Sequence, residues 1–171
     1  MTLPPDSTMA AVSSFGITLR QADTPVHVEI VSALFREYAE AIGTNLEYQG
    51  FTRELDALPN PYMPPKGALL LAHVGAEIAG CVGLRPIDDG VGEMKRLYVK
   101  PAYRKSGLGQ RLVQTVIDAA RAAGDRELRL DTLASMATAQ ALYCRLGFVE
   151  IPPYNDTHLP GTRFYALKLT H

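Results

Sequence analysis

The chemistry that this sequence shows most clearly lies in a short basic segment with two glycines, Arg104-Lys105-Ser106-Gly107-Leu108-Gly109. An apolar stripe with helical spacing follows it, so the segment is predicted to open a helix. A helix start presents unpaired N–H groups and the positive end of the helix dipole, which together bind phosphate. Gly107 and Gly109 permit close backbone approach, and Arg104 and Lys105 add positive charge. The segment therefore indicates a phosphate or pyrophosphate site.

Two well-known nucleotide motifs do not fit this segment. A dinucleotide-binding fingerprint needs a third glycine at position 112, where Leu112 stands, and the chain has no Gly-Lys-Ser or Gly-Lys-Thr for a P-loop. A glycine-containing surface turn remains the alternative for such a short motif taken alone. The neighbouring segments decide between these interpretations.

Three linked segments resemble the GNAT superfamily of acetyltransferases. Arg104-x-x-Gly107-x-Gly109 is similar to the family's pyrophosphate loop, in which Arg or Gln is followed by two residues, Gly, one residue, and Gly or Ala. EMKRLYVKPAYR, residues 93–104, resembles its fourth strand, and AQALYCRLGF, residues 139–148, resembles its later helix with Leu-Tyr and Gly-Phe. The resemblance is specific over residues 93–148 and extends as an order of elements over about residues 16–169.

The resemblance implies an enzyme that moves an acetyl group from acetyl-CoA to an amine. In that fold the fourth strand splays from the fifth, and pantetheine inserts between them like an added strand. Backbone groups of the fourth strand then pair with pantetheine, while N–H groups of the glycine loop hold the pyrophosphate. The implied cofactor-binding residues are Leu97, Tyr98, Val99, Arg104, Lys105, Ser106, Gly107, Leu108, Gly109 and Gln110.

The same resemblance suggests Tyr143 as the general acid that protonates the departing CoA thiolate. The alternative is an aromatic side chain that only packs on the sheet. Cys144 points about 100° away around the helix, so a thiol nucleophile is disfavoured and direct attack in a ternary complex is expected. A backbone N–H near Leu97 is the expected oxyanion donor.

Glu93 stands four residues before Leu97, where some family members carry a carboxylate base. Strand alternation places Glu93, Lys95, Leu97 and Val99 on one face if no bulge intervenes. The alternative is an ordinary solvated cross-strand charge. An amine with an ordinary pKa near 10.4 needs a base or desolvation to react at neutral pH.

The surrounding pattern predicts an α/β fold with a mixed sheet, mostly antiparallel, of six or seven strands and about four helices. Strands are expected at residues 15–19, 68–74, 77–84, 91–99, 127–130, 148–151 and 164–169. Helices are expected from Pro25 to about Ile42, with Thr24 and Gly43 at its ends, at residues 52–58, and after the glycine loop. A further helix is expected at 136–146, with Ser135 as cap and a Schellman motif at Gly147 and Phe148. We expect residues 1–14 to form a flexible tail and 15–171 a single domain.

Composition excludes several other classes. With 171 residues, 47% apolar residues and a net charge of −1, the chain fits one domain without the basic surface of a nucleic-acid binder. We find no signal peptide or membrane span, so a cytoplasmic protein is expected. Cys81 and Cys144 are expected to be reduced thiols, and neither they nor the histidines show metal-ligand spacing. A homodimer through the last strands stays open.

The acceptor is read as a small primary amine, with a protein N-terminus or lysine as the second choice. A CoA-binding sensor without turnover and a phosphate binder outside the family remain as further alternatives. The first two helices and the loop before the last strand should form the acceptor pocket. They supply Tyr48, Phe51, Tyr62, Met63, Tyr154, His158 and Arg163, while Asp88, Asp89 and Asp131 would favour a cationic acceptor.

Overall fold

A computed structural model describes residues 16–170 as a seven-stranded mixed sheet with helices on both faces. The strands are β1 Ile17–Gln21, β2 Ala68–Val74, β3 Glu77–Asp88, β4 Val91–Val99, β5 Glu127–Thr132, β6 Val149–Ile151 and β7 Arg163–Lys168. The α-helices are α1 Pro25–Ile42, α2 Phe51–Ala57, α3 Leu108–Ala122 and α4 Ala137–Arg145. Short 3-10 turns cover Leu46–Gln49 and Pro101–Tyr103. The predicted tail and Phe15, the first residue of the first expected strand, lie outside the described residues.

The strand order is β1-β2-β3-β4-β5-β7-β6, and β4 and β5 are the parallel pair. This confirms the predicted mixed sheet. One apolar core lies between the sheet and α3, and Leu112, Val116 and Tyr143 belong to it. The other core lies beneath α1, where Val31 and Phe35 are fully buried.

The sheet opens between its two central strands. Pairing of β4 with β5 runs only from Val91 opposite Glu127 to Glu93 opposite Arg129. β4 continues to Val99 and β5 to Thr132 without further pairing between them. The predicted splay is confirmed, and it leaves the β5-facing edge of β4 open beyond Glu93.

A bulge at Arg96 changes the faces of β4. Arg96 has a φ of 57°, and the register with β3 shifts between Cys81 and Gly83. Lys95 therefore contacts Gln49 on the α1 and α2 side, whereas Leu97 and Val99 pack toward α3. The condition under which Glu93, Lys95, Leu97 and Val99 would share one face therefore fails, because the bulge inserts an extra residue and reverses the alternation.

Contacts from α2 and β3 hold this bulge. The Arg96 guanidinium donates to both carboxylate oxygens of Glu54 at 3.0 and 2.9 Å, and it lies over the ring of Phe51. The Cys81 thiol lies 3.6 Å from the Arg96 carbonyl oxygen. Because the Arg96 and Glu54 side chains are only 3% and 9% exposed, this ion pair ties α2 firmly to the bulge.

Helix ends follow the predicted chemistry in three of four cases. The Thr24 hydroxyl accepts the His27 N–H at the start of α1, and Gly43 adopts a left-handed conformation at its end. Gly147 and the following residue end α4 with bonds to the Cys144 and Tyr143 carbonyls, the predicted Schellman motif. The predicted Ser135 cap is wrong, since α4 begins at Ala137 after Met136 without a side-chain cap bond.

Gly83 tests the packing of the α1-side core. A Cβ at this position would lie 2.7 and 2.8 Å from two ring carbons of Tyr62, which is fully buried. Gly83→Ala should therefore lower the free energy of unfolding by about 1–3 kcal/mol in chemical denaturation, because the ring cannot move aside. Gly16→Ala, whose Cβ would have 3.7 Å of clearance, should change it by less than about 0.5 kcal/mol. Equal stability of the two variants would contradict this packing.

Candidate active site

The glycine loop is shaped to bind an anion. Lys105 and Gly107 have positive φ values of 61° and 82°, and the Ser106 hydroxyl donates to the Tyr103 carbonyl. α3 starts after Gly107 without a side-chain cap, so its first N–H groups are left for another partner. Because consecutive N–H groups in such a turn form a concave nest, the segment can hold a phosphate.

Gly109 leaves space where the loop meets β4 and α4. A Cβ there would lie 3.7 Å from Leu142 and 3.9 Å from Val99, so nothing in the protein requires a glycine for clearance. The Arg104 Nε donates to the Val99 carbonyl at 3.1 Å, which ties the loop to the end of β4. The structure thus brings together the two groups of residues predicted to bind the cofactor.

A cleft passes through the sheet where β4 and β5 separate. Its lining residues come from both faces of the sheet and include Tyr38, Met94, Lys95, Arg96, Leu97, Leu130, Asp131, Thr132, Met136 and Tyr143. Leu97, Leu130 and Tyr143 belong to the α3 side, and Tyr38 to the α1 side. A molecule entering from one face can therefore meet a molecule entering from the other.

Tyr143 is held rigidly at this cleft. It is 5% exposed and packs against Phe148 and Tyr165, with ring centroids 5.8 and 6.3 Å away. Burial raises the pKa of its phenol well above the ordinary value, and the nearby Tyr38 and Asp131 raise it further. Tyr143 therefore stays protonated at neutral pH, so its hydroxyl is available as a proton donor in the cleft.

Glu93 lies at a buried ion pair beside the cleft. One carboxylate oxygen accepts from Arg85 at 2.9 and 2.7 Å, and the other accepts from the Tyr154 hydroxyl at 2.6 Å. Burial raises the pKa of this carboxyl, but the charges of Lys95 and Arg85 and these bonds outweigh it and leave the pKa lowered. Since both oxygens are bonded and the group is a weak base, its role as the general base stays a prediction that this geometry disfavours.

The residues predicted to line the acceptor pocket lie in different parts of the structure. Tyr62 is buried in the α1-side core against Phe35 and cannot line a pocket. Arg163 pairs with Glu150 near the surface. Tyr154 and His158 both pack edge-on against Phe164. They fasten the segment between β6 and β7 over the sheet beside the cleft.

Sequence reasoning named Asp131 at the acceptor end of the cleft but missed the other charged residues there. Two neighbouring polar hollows there are lined by Gln49, Glu54, Arg85, Lys95, Arg96, Asp131, Asn155 and Thr157, and by Tyr48 with residues near it. The Lys95 ammonium lies 3.7 Å from Asp131 and 3.4 Å from Gln49. Lys95 stands between Met94 and Arg96, so the local sequence carries no clear signal that this lysine is buried.

The comparisons with known proteins agree with this architecture. The sequence profile of the acetyltransferase (GNAT) family matches residues 31–148, well over half of the chain. The chain belongs to this family. An uncharacterised N-acetyltransferase of Schizosaccharomyces pombe is 32% identical over 156 residues, which cover 90% of this chain and 96% of that protein.

Solved structures share the GNAT fold of this chain. An acetyltransferase of Staphylococcus aureus superposes with a TM-score of 0.74 at 22% identity, covering 90% of this chain and 99% of the other. The Salmonella typhimurium protein YncA, solved with acetyl-CoA, gives 0.64 at 20% identity, covering 91% and 95%. The predicted family, fold and acyltransferase class are thereby confirmed.

Residues 16–170 contain neither a cluster of metal ligands nor a membrane-spanning helix. No group of three His, Cys, Asp or Glu side chains there is placed to hold a metal ion. No helix in the same range is long and apolar enough to cross a membrane. Both cysteines are free thiols, with Cys81 buried and Cys144 exposed.

Replacing Glu93 should reveal a structural role that depends on pH. Because the folded-state pKa of Glu93 is lowered, its ionised form stabilises the protein above its ordinary pKa, and this contribution is lost as pH falls through the folded-state value. Glu93→Gln should lower the free energy of unfolding by about 2–4 kcal/mol at pH 7. This is a small effect for breaking a buried ion pair, because the Arg85 side chain is 35% exposed. The difference from wild type should shrink below about pH 4 in denaturation experiments.

The matched control is Glu150→Gln, which breaks an exposed pair with Arg163. This substitution should lower the free energy of unfolding by less than about 1 kcal/mol at every pH. A Glu93→Gln variant as stable as this control at pH 7 would show that the buried ion pair does not contribute to folding.

Proposed function

We propose that this protein is an acetyl-CoA-dependent N-acetyltransferase that acetylates the primary amine of a small molecule by direct attack in a ternary complex. The observation that carries the proposal is the cleft through the sheet. Tyr143 and the open edge of β4 lie on its α3 side, and polar groups lie on its α1 side. Donor and acceptor would enter from opposite faces and meet between β4 and β5.

The donor side has the features that acetyl-CoA requires. Pantetheine would extend along the unpaired edge of β4 at Leu97, Tyr98 and Val99 and form backbone bonds as an added strand. The pyrophosphate would bind the N–H groups of residues 105–110, with Arg104 and Lys105 supplying charge. Family membership and the acetyl-CoA bound in the Salmonella structure support this choice of donor.

The proposed reaction needs few protein groups. The neutral amine nitrogen attacks the thioester carbon, and a β4 backbone N–H near Leu97 stabilises the oxyanion. The carbon–sulfur bond then breaks, Tyr143 protonates the leaving thiolate, and the amine nitrogen loses one proton to solvent or a base. The tyrosinate recovers a proton from solvent, so a neutral amine and acetyl-CoA give only the amide and CoA thiol.

The acceptor end favours a small molecule over a protein segment. Tyr154 bonds to Glu93 and packs on Phe164, which fixes the segment between β6 and β7 beside the opening. The charged groups beneath it are nearly buried, with the Lys95 and Asp131 side chains 6% and 11% exposed. A small polar amine can enter this narrow space as a whole. Acetylation of peptides but not of small amines would instead support the protein acceptor.

Tyr143→Phe tests the proposed acid. Loss of the hydroxyl should lower kcat by about 10²-fold, while the Kd for acetyl-CoA changes less than about twofold, because only the transition state uses the proton. CoA release can be followed with a thiol reagent across a panel of amines. Tyr165→Phe removes a hydroxyl from the same aromatic cluster outside the cleft and should keep kcat within about twofold. Equal kcat values for the two variants would remove Tyr143 from the mechanism.

Gly109→Val tests the proposed pyrophosphate site. The Cβ of the new side chain has ordinary clearance from Leu142 and Val99, and its methyl groups would occupy space beside the loop, so calorimetry should show a Kd for acetyl-CoA raised by about tenfold or more. The free energy of unfolding should change by less than about 1 kcal/mol. Gly109→Ala is the control and should bind acetyl-CoA within about threefold of wild type. Unchanged affinity in the valine variant would place the cofactor elsewhere.

A further inference from the structure

Lys95 is a buried charge with weak partners. Its side chain is 6% exposed, yet among residues 16–170 its ammonium has one hydrogen bond, to Gln49 at 3.4 Å, and one ion-pair contact, to Asp131 at 3.7 Å. The Gln49 oxygen also accepts from Arg96 at 2.9 Å. An ammonium has three hydrogen-bond donors and is costly to bury without acceptors. The described residues leave most of the hydrogen-bonding capacity of Lys95 unused.

Asp131, the negative charge next to Lys95, is also nearly buried. Its side chain is 11% exposed, and within residues 16–170 its carboxylate has the Lys95 contact at 3.7 Å but no hydrogen-bond donor at 3.5 Å or less. It lines the cleft and both neighbouring hollows. This carboxylate therefore faces the space where the acceptor would enter, close to Tyr143.

The other charges around this space already have partners. Arg96 binds both oxygens of Glu54, and Arg85 binds Glu93. Lys95 and Asp131 are thus the two charges in the pocket that can still form strong bonds. They lie side by side, one positive and one negative.

This arrangement matches a molecule with the opposite pair of charges. Standard bond lengths place the nitrogen of an α-amino acid about 2.7–3.6 Å from its carboxylate oxygens, close to the separation of the Lys95 and Asp131 charged atoms. Such a zwitterion can lie antiparallel across the pair, with each charge against its opposite. A simple alkylamine would satisfy only Asp131.

We propose that Lys95 and Asp131 form a subsite for an α-amino acid, with Lys95 binding its carboxylate and Asp131 its amino group. The subsite lines the same cleft as Tyr143, so the bound amino group is close to the position of transfer. Burial lowers the pKa of Lys95, and the nearby Asp131 and Glu93 offset this only in part, so a bound carboxylate would favour the charged lysine. The inference rests on the proposed function and names the acceptor class.

The first experiment uses the wild-type enzyme with saturating acetyl-CoA. CoA release is measured with the twenty common L-amino acids, with the corresponding amino acid amides and with simple primary amines. For the best amino acid, kcat/KM should exceed that of its amide by about tenfold or more, because the amide keeps the amino group but lacks the carboxylate.

Two variants separate the roles of the two charges. Lys95→Met should lower kcat/KM by about tenfold or more for the amino acid but less than about threefold for its amide. Asp131→Asn should lower kcat/KM for both compounds, since both present an amino group. Lys100→Met removes a partly exposed lysine outside the cleft and should leave both rates within about twofold. Acetyl-CoA affinity and thermal unfolding show that each variant is folded.

The outcomes distinguish this inference from the proposed function. Amides or simple amines acetylated as well as amino acids, or a Lys95→Met variant that lowers both rates equally, would overturn the amino acid subsite while the acetyltransferase remains. If no amine is acetylated, whether or not acetyl-CoA binds, both the amino acid subsite and the proposed function are overturned. The comparison of amino acid with amide needs no variant and so does not depend on how Lys95→Met folds.

Discussion

The architecture of the site depends on β4 leaving β5 after Glu93. A parallel pair that continued to Val99 would close the sheet, and neither the cleft nor the free edge of β4 would exist. The bulge at Arg96 accompanies this departure, and Glu54, Phe51 and Cys81 hold it in place. A non-glycine residue at positive φ costs of order 1–3 kcal/mol, so it persists where surrounding contacts determine it.

The bulge also divides the chemistry between the two faces of the sheet. Residues before it direct their charges toward the α1 side, and Leu97 and Val99 after it pack toward α3. Acetyl transfer requires a dry donor site beside a polar acceptor site, and one reversal of strand alternation supplies both. Arg85 and Arg96 are paired with Glu93 and Glu54, whereas Lys95 and Asp131 keep bonding capacity for the proposed acceptor.

Local patterns were sufficient to predict much of the fold. β2 and β4 have their predicted bounds, and the caps at Thr24, Gly43 and Gly147 follow from local chemistry. The bulge could not be predicted, since no glycine marks it and its main support, Glu54, is 42 residues away in the sequence. The contact between Lys95 and Asp131 could not be predicted either, because these residues lie on β4 and β5 and meet only in the folded protein. Tyr62, expected in the pocket, is instead in the core.

Amide hydrogen exchange along β4 tests the central claim most directly. The exchange of peptides covering residues 94–99 and 105–111 is compared with and without saturating acetyl-CoA. If pantetheine pairs with the open edge and the glycine loop holds the pyrophosphate, exchange in both segments should slow by about tenfold or more, while α1 is unchanged. Binding of acetyl-CoA that leaves exchange in β4 unaltered would contradict the account.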